Sequence, residues 1–191
     1  MNITFPLVPL GAVLLLIYFV SDTKRNGLGH LWHRLIFYSF LVYILSVVHL
    51  TIGGITFPLI QDSNRIAVQP IPFFFVWDWV RLYGLNGADF FFWNSVKLYA
   101  LNVLLLLPLG VYLSVKFQIR SAKKAILILF LSSLMIETLQ LVLTWIGLIR
   151  PRSFDADDLL LNTLGGVIGF WIWEGLRKLS GVIRKVPVAM K

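Results

Sequence analysis

This chain predicts an all-α fold: a polytopic membrane helical bundle of about five transmembrane helices with an interfacial outer loop. Three observations carry that expectation. The 191 residues are 58% hydrophobic and only 14% charged, against about 45–50% and about 25% in soluble domains. The apolar residues lie in long runs nearly free of charge, as they do where the solvent is lipid. Lys and Arg, which bring the formal charge to +8, gather in the short segments between those runs. That placement reads as membrane topology and contact with anionic lipid, and no nucleic-acid partner is expected. The absence of cysteine excludes disulfides, thiol catalysis and thiolate metal sites. The length suits a single membrane domain over residues 1–191.

A helix needs about 20 apolar residues to cross the hydrocarbon core. The first run, Ile3 to Val20, is slightly short and contains Pro6 and Pro9. No basic segment precedes it and no small-residue cleavage site follows, so it reads as a retained helix rather than a signal peptide. The second run extends from about Leu35 to Ile52. From Gly53 to Lys97 the chain is too polar and too broken to span. Its aromatic stretch Phe73-Phe74-Phe75-Val76-Trp77-Asp78-Trp79 suits the head-group level, which predicts a structured loop or short re-entrant element at the interface. Three further spans are expected at Leu98–Val115, Ala125–Leu148 and Leu159 to about Leu176, antiparallel because their connections are short. Pro108 should kink the third.

Orientation follows from alternate connections. Lys24, Arg25, Arg34, Lys116, Arg120, Lys123, Lys124, Arg177, Lys178, Arg184, Lys185 and Lys191 fall on one side, twelve in all. The other side carries Arg65, Arg81, Lys97, Arg150 and Arg152, which makes five. The N-terminus is expected outside and the C-terminus in the cytoplasm.

Polar groups inside the runs are the candidates for function. Glu137 stands in the middle of the fourth span, where an ionisable group costs a few kcal/mol or more unless paired or neutral. Gln140 follows three positions later on the same face. Asn102 lies near the outer end of the third span, and Asn162 lies one turn inside the fifth, four positions after Asp158. At about 1.5 Å per residue, Asn102, Gln140 and Asn162 sit at roughly 5–10 Å depth and Glu137 at roughly 15 Å. Overlapping depth on three helices predicts one outward-opening pocket. Interhelical hydrogen bonding is the alternative use of such residues. Gly165, Gly166 and Gly169 continue the same stripe and predict close helix packing or a homodimer seam.

The last outer loop runs Arg150-Pro151-Arg152-Ser153-Phe154-Asp155-Ala156-Asp157-Asp158. One carboxylate, Asp155 or Asp157, suffices to cap the following helix. The surplus admits a divalent cation on Asp155, Asp157 and Asp158, or a general acid among like charges. Arg152 could pair with these carboxylates or hold a phosphate. His30, His33 and His49 have no neighbours that suggest a ligand cluster and read as solvated or interfacial.

Four segments, in order, resemble the VanZ-like family. They are Gln69-Pro70-Ile71-Pro72-Phe73, Asn102 to Leu113 (NVLLLLPLGVYL), Glu137-Thr138-Leu139-Gln140, and Arg152 to Gly169 (RSFDADDLLLNTLGGVIG). The resemblance covers residues from about 68 to 172. It implies a bacterial plasma-membrane protein linked to reduced susceptibility to lipoglycopeptides such as teicoplanin. Two readings of the site follow. In the first, Asn102, Glu137, Gln140, Asp155, Asp157, Asp158 and Asn162, with Arg152 at the rim, bind a membrane lipid, a lipid-linked cell-wall precursor or the acyl portion of a lipoglycopeptide. In the second, an intramembrane enzyme acts on a lipid or polyprenyl phosphate, with Asp157 or Glu137 as acid or base and Arg152 on the phosphate. Proton or ion transport would rest on Glu137 alone and lacks the internal repeats usual in transporters. The identity of any cofactor is left open.

Overall fold

In the computed structural model, residues 3–26, 31–60 and 67–183 are described. Arg65, Arg184, Lys185 and Lys191 from the charge balance lie outside them, as do His30 and the side chain of His33. Among the described residues there are six helices: α1 (Leu7–Asn26), α2 (Leu31–Ile52), α3 (Phe74–Asn86), α4 (Phe90–Val115), α5 (Ala122–Trp145) and α6 (Ala156–Ile183). Four short strands accompany them: β1 (Ile3–Pro6), β2 (Gly54–Phe57), β3 (Val68–Gln69) and β4 (Phe154–Asp155). The protein is an all-α membrane protein. Among the described residues four stretches are long and apolar enough to cross a bilayer: Arg34–Ile52, Phe90–Val115, Ala122–Trp145 and Ala156–Leu179. The expected first span corresponds to α1. Its last turns are the polar Ser21-Asp22-Thr23-Lys24-Arg25, which leaves an apolar stretch of about 21 Å, short of the hydrocarbon thickness.

The chain divides into two compact units, Met1–Ile71 with Leu134–Ala156, and Pro72–Ser133 with Asp157–Lys191. In the first, α1 and α2 form a hairpin tied at its turn by Arg34, whose Nε donates to Asp22 at 2.9 Å. Tyr38 also donates to Asp22. β1 runs antiparallel to β2, with Ile3 opposite Phe57 and Pro6 opposite Gly54. β3 and β4 run parallel, Val68 opposite Phe154 and Gln69 opposite Asp155. The turn after α5 reverses at Gly147, whose φ of 74 is a conformation that a side chain disfavours. The chain there accepts and clamps the segment after β2: Ile60 N–H donates to the Gly147 carbonyl at 3.0 Å, and Thr56 N–H to Leu148 at 2.8 Å.

In the second unit the core is Leu113, Ala125, Leu129 and Phe170, with Leu109, Ile119, Ala122, Ile128 and Val167 packed around it. α4 starts at Phe90, eight residues before the expected span, because Asp89 caps it by accepting from Phe92 N–H at 2.9 Å. It continues through Pro108. The aromatic segment expected at the interface folds as α3, a helix with no buried residue. α4 and α6 approach closely along a glycine seam. A Cβ on Gly165 would stand 1.7 Å from the Val103 carbonyl oxygen, one on Gly169 would stand 2.1 Å from that of Leu107, and one on Gly110 would stand 1.8 Å from that of Gly166. Only hydrogen at these positions allows backbone to meet backbone. Gly165 and Gly169 therefore face α4 of the same chain.

Candidate functional site

In the second unit, the acidic run at the head of α6 has separate duties. Asp157 is completely buried. Its two carboxylate oxygens accept from the backbone N–H groups of Phe73 at 2.6 Å and Phe75 at 2.7 Å. Both amides belong to the start of α3, so a residue expected to cap its own helix closes the N-terminus of another. Phe73 has φ 64, uncommon for a bulky residue, and such backbone costs about 1–3 kcal/mol. The two bonds from Asp157 hold it in place.

Asp158 accepts from Asn102 Nδ2 of α4. Asn162 lies one turn along α6 on the Asp158 face and is 1% exposed. Among the described residues its Oδ1 has no hydrogen-bond donor, and the buried indole N–H of Trp79 has no acceptor. A buried polar atom left unsatisfied costs about 1–3 kcal/mol. Trp79 packs against Phe75 and Tyr99, with ring centroids 5.2 and 5.9 Å away. Tyr99 precedes Asn102 by three positions on α4, which places the aromatic cluster beside the Asn102–Asp158 pair along that helix.

The other expected residues belong to the first unit. Glu137 is 2% exposed, and its Oε2 faces the Asp155 N–H of β4 at 3.4 Å. The residue opposite Asp155, Gln69, folds back on its own chain: Nε2 donates to the Ile71 carbonyl at 2.8 Å and Oε1 accepts from Ile71 N–H at 2.5 Å. Gln140 is buried and donates from Nε2 to the Thr51 carbonyl at 2.8 Å. This satisfies an orphan acceptor in the last turn of α2, so Gln140 acts as a fastener. Arg152 is exposed, and its backbone N–H donates to Thr144 Oγ1 at 3.2 Å. The expected site residues thus fall into two groups. Asn102, Asp157, Asp158 and Asn162 belong to one unit, and Glu137, Gln140, Arg152 and Asp155 to the other.

Among the described residues no group of three or more His, Asp or Glu side chains could hold a metal ion. Asp155, Asp157 and Asp158 engage different partners. His49 lies on the wall of a cavity of about 680 Å³ between α1 and α2, lined chiefly by Leu15, Leu16, Val42 and Leu45. One polar cluster has no counterpart in the sequence reading. Glu174, near the end of α6, is buried beside Ser114 of α4 and ion-paired to Arg120 and Arg177. Its only sequence signal is an acidic residue closing an apolar run that is flanked by basic ones.

No curated protein and no solved structure matches this chain. The family model described as VanZ/LLP1 matches residues 12–177, a stretch that includes Asn102, Glu137, Gln140, Asp157, Asp158 and Asn162. The chain belongs to the VanZ/LLP1 family.

Proposed function

We propose that this protein acts in the bacterial plasma membrane as a teicoplanin-resistance-type or envelope-homeostasis protein, and that it does so by binding. The ligand is a lipid or a lipid-linked molecule, either a cell-wall precursor or the acyl-bearing antibiotic itself. The single observation that supports binding is the Asn162 side chain. Its Oδ1 is a buried acceptor with no donor among the described residues, one turn from the Asn102–Asp158 pair. A buried acceptor that keeps its bonding capacity recognises a hydroxyl or amide far better than an exposed one, because water does not compete for it. The amide has no proton to exchange in catalysis, so the position suits recognition. The proposed orientation, N-terminus outside and C-terminus in the cytoplasm, rests on the division of twelve basic residues against five.

The test is expression in a susceptible bacterium, comparing teicoplanin with vancomycin sensitivity for wild type and Asn162→Leu. Leucine keeps the branched shape with a somewhat larger volume, removes the acceptor and is cheap to bury in a membrane helix, so the variant should insert at wild-type levels. Selective protection against teicoplanin by wild type, lost in Asn162→Leu at equal membrane abundance, is expected. Equal protection by both would overturn the site. No protection by wild type would separate this member from the resistance phenotype.

A further inference from the structure

A second polar constellation lies at the opposite end of α6, and it has the chemistry of an anion site. Glu174 is 5% exposed and Ser114 is fully buried. Ser114 Oγ donates to Glu174 Oε1. Arg120 reaches the same pair from the 116–121 turn between α4 and α5. Its Nη1 donates to Glu174 Oε1 at 2.8 Å, to Ser114 Oγ at 2.8 Å and to the Ser114 carbonyl at 3.3 Å. Arg177 grips the other carboxylate oxygen with Nε at 3.2 Å and Nη2 at 2.5 Å.

One buried carboxylate therefore fixes two guanidinium groups whose side chains remain 46% and 45% exposed. The charges do not balance, and one positive charge is left over. Among the described residues Arg120 makes no bond through Nε or Nη2, and Arg177 makes none through Nη1. The guanidinium groups that carry those N–H donors are anchored to buried partners, Glu174 and Ser114, which lowers the entropy lost when an anion docks. Lys116, Lys123, Lys124 and Lys178 stand nearby in the sequence of the same helix ends and add to the positive field.

We infer that Arg120 and Arg177, set side by side by Glu174 and Ser114, form a binding site for the phosphate of an anionic phospholipid. A guanidinium presents paired donors that match phosphate oxygens, which a lysine ammonium does not. Depth identifies the source of the phosphate. α4 ends at Val115 and α5 begins at Ala122, so Arg120 lies just outside the hydrocarbon, and Arg177 stands two residues before the end of the Ala156–Leu179 span. Both are where a lipid head group resides.

The experiment uses the full chain purified in mild detergent, with phosphatidylglycerol or phosphatidylcholine added and bound lipid counted by native mass spectrometry. Wild type should retain phosphatidylglycerol in preference to phosphatidylcholine. Arg120→Lys with Arg177→Lys keeps every charge and removes the fork, and should weaken retention about tenfold, the worth of one charge-assisted contact. Lys123→Gln with Lys124→Gln removes two charges from the same end and should leave the preference intact. Thermal unfolding in phosphatidylcholine reports folding separately, and Arg120→Lys alone replaces the double variant if that variant unfolds. Wild-type retention by the arginine variant, or an equal loss in the lysine variant, would reduce the site to general surface charge and overturn the inference. Displacement of the lipid by inorganic phosphate at equal concentration would overturn the lipid assignment.

Discussion

The glycine seam between α4 and α6 offers the sharpest quantitative test of the structure. In Gly165→Ala the new methyl would lie 1.7 Å from the carbonyl oxygen of Val103, 2.6 Å from its carbon and 3.0 Å from its Cα. All three are backbone atoms, so no rotamer change relieves the clash. Ordinary contact begins near 3.4 Å, which means that the helices must part locally by roughly 1.7 Å. A displacement of that size strips dispersion contacts along the seam and stretches the hydrogen bond between Asn102, which adjoins Val103, and Asp158, seven positions before Gly165. Overpacking of this kind costs about 1–3 kcal/mol and the weakened polar pair adds to it. The expected destabilisation is about 3 kcal/mol, more than a hundredfold in the folding equilibrium. Gly175→Ala on the same helix is the control. A Cβ there meets nothing within 4 Å, and replacing a helical glycine should be neutral or stabilise by about 0.5–1 kcal/mol. Reversible denaturation in mixed micelles, with circular dichroism as the readout, measures both. A Gly165→Ala protein within about 0.5 kcal/mol of Gly175→Ala would refute the close approach of α4 and α6.

Two further substitutions probe the segments around the candidate residues. Asp157→Asn replaces one of two acceptor oxygens by a donor that opposes a backbone N–H, and should cost about 1–3 kcal/mol. Hydrogen exchange should quicken at Phe73 and Phe75 while the core around Leu129 keeps its protection. Gly147→Ala places a side chain at φ 74, with its Cβ 2.5 Å from the Ile60 carbonyl oxygen, and should cost about 1–3 kcal/mol. Its signature is faster exchange at Ile60, whose N–H pairs with the Gly147 carbonyl; unchanged exchange there would count against the clamp.

The helices were legible because lipid imposes a coarse rule. Long uncharged runs must be spans, and the expected second to fifth runs correspond to α2, α4, α5 and α6. Their ends were less legible. Phe90 to Lys97 extend α4 because of a single cap at Asp89, a local event that an aromatic-rich stretch conceals. The strands were invisible, since pairs of two to four residues carry no alternation to detect. Gly165 and Gly169 were readable as a packing seam, because small residues four apart have little other use in a membrane helix. The partners of the polar residues could not be read. Gln140 meets the Thr51 carbonyl 89 positions away, and Glu174 meets Ser114 and Arg120 across 60 and 54 positions. Nothing in a linear pattern encodes such pairings.

The duties of the polar residues bear on whether the site binds or catalyses. Three carboxylates in four residues suggested an acid beside like charges. Asp157, however, presents both oxygens to backbone donors at 2.6 and 2.7 Å, and those donors start a helix whose preceding residue is held at φ 64. Removing its charge would loosen α3 whether or not any proton moves in function. Loss of phenotype in Asp157→Asn would therefore report on architecture first, and it is a poor test of catalysis. Asp158 is tied to Asn102. Among the described residues the buried acceptor without a donor is an amide oxygen, that of Asn162, and an amide recognises a ligand but transfers no proton at neutral pH. A catalytic reading must accordingly place its chemistry on Glu137, in the other unit of the chain. Glu137→Gln separates the two accounts, because glutamine keeps an oxygen for the Asp155 N–H but cannot act as a base. If binding is the function, protection should survive Glu137→Gln and fail in Asn162→Leu, and the reverse pattern would move the function to the carboxylate.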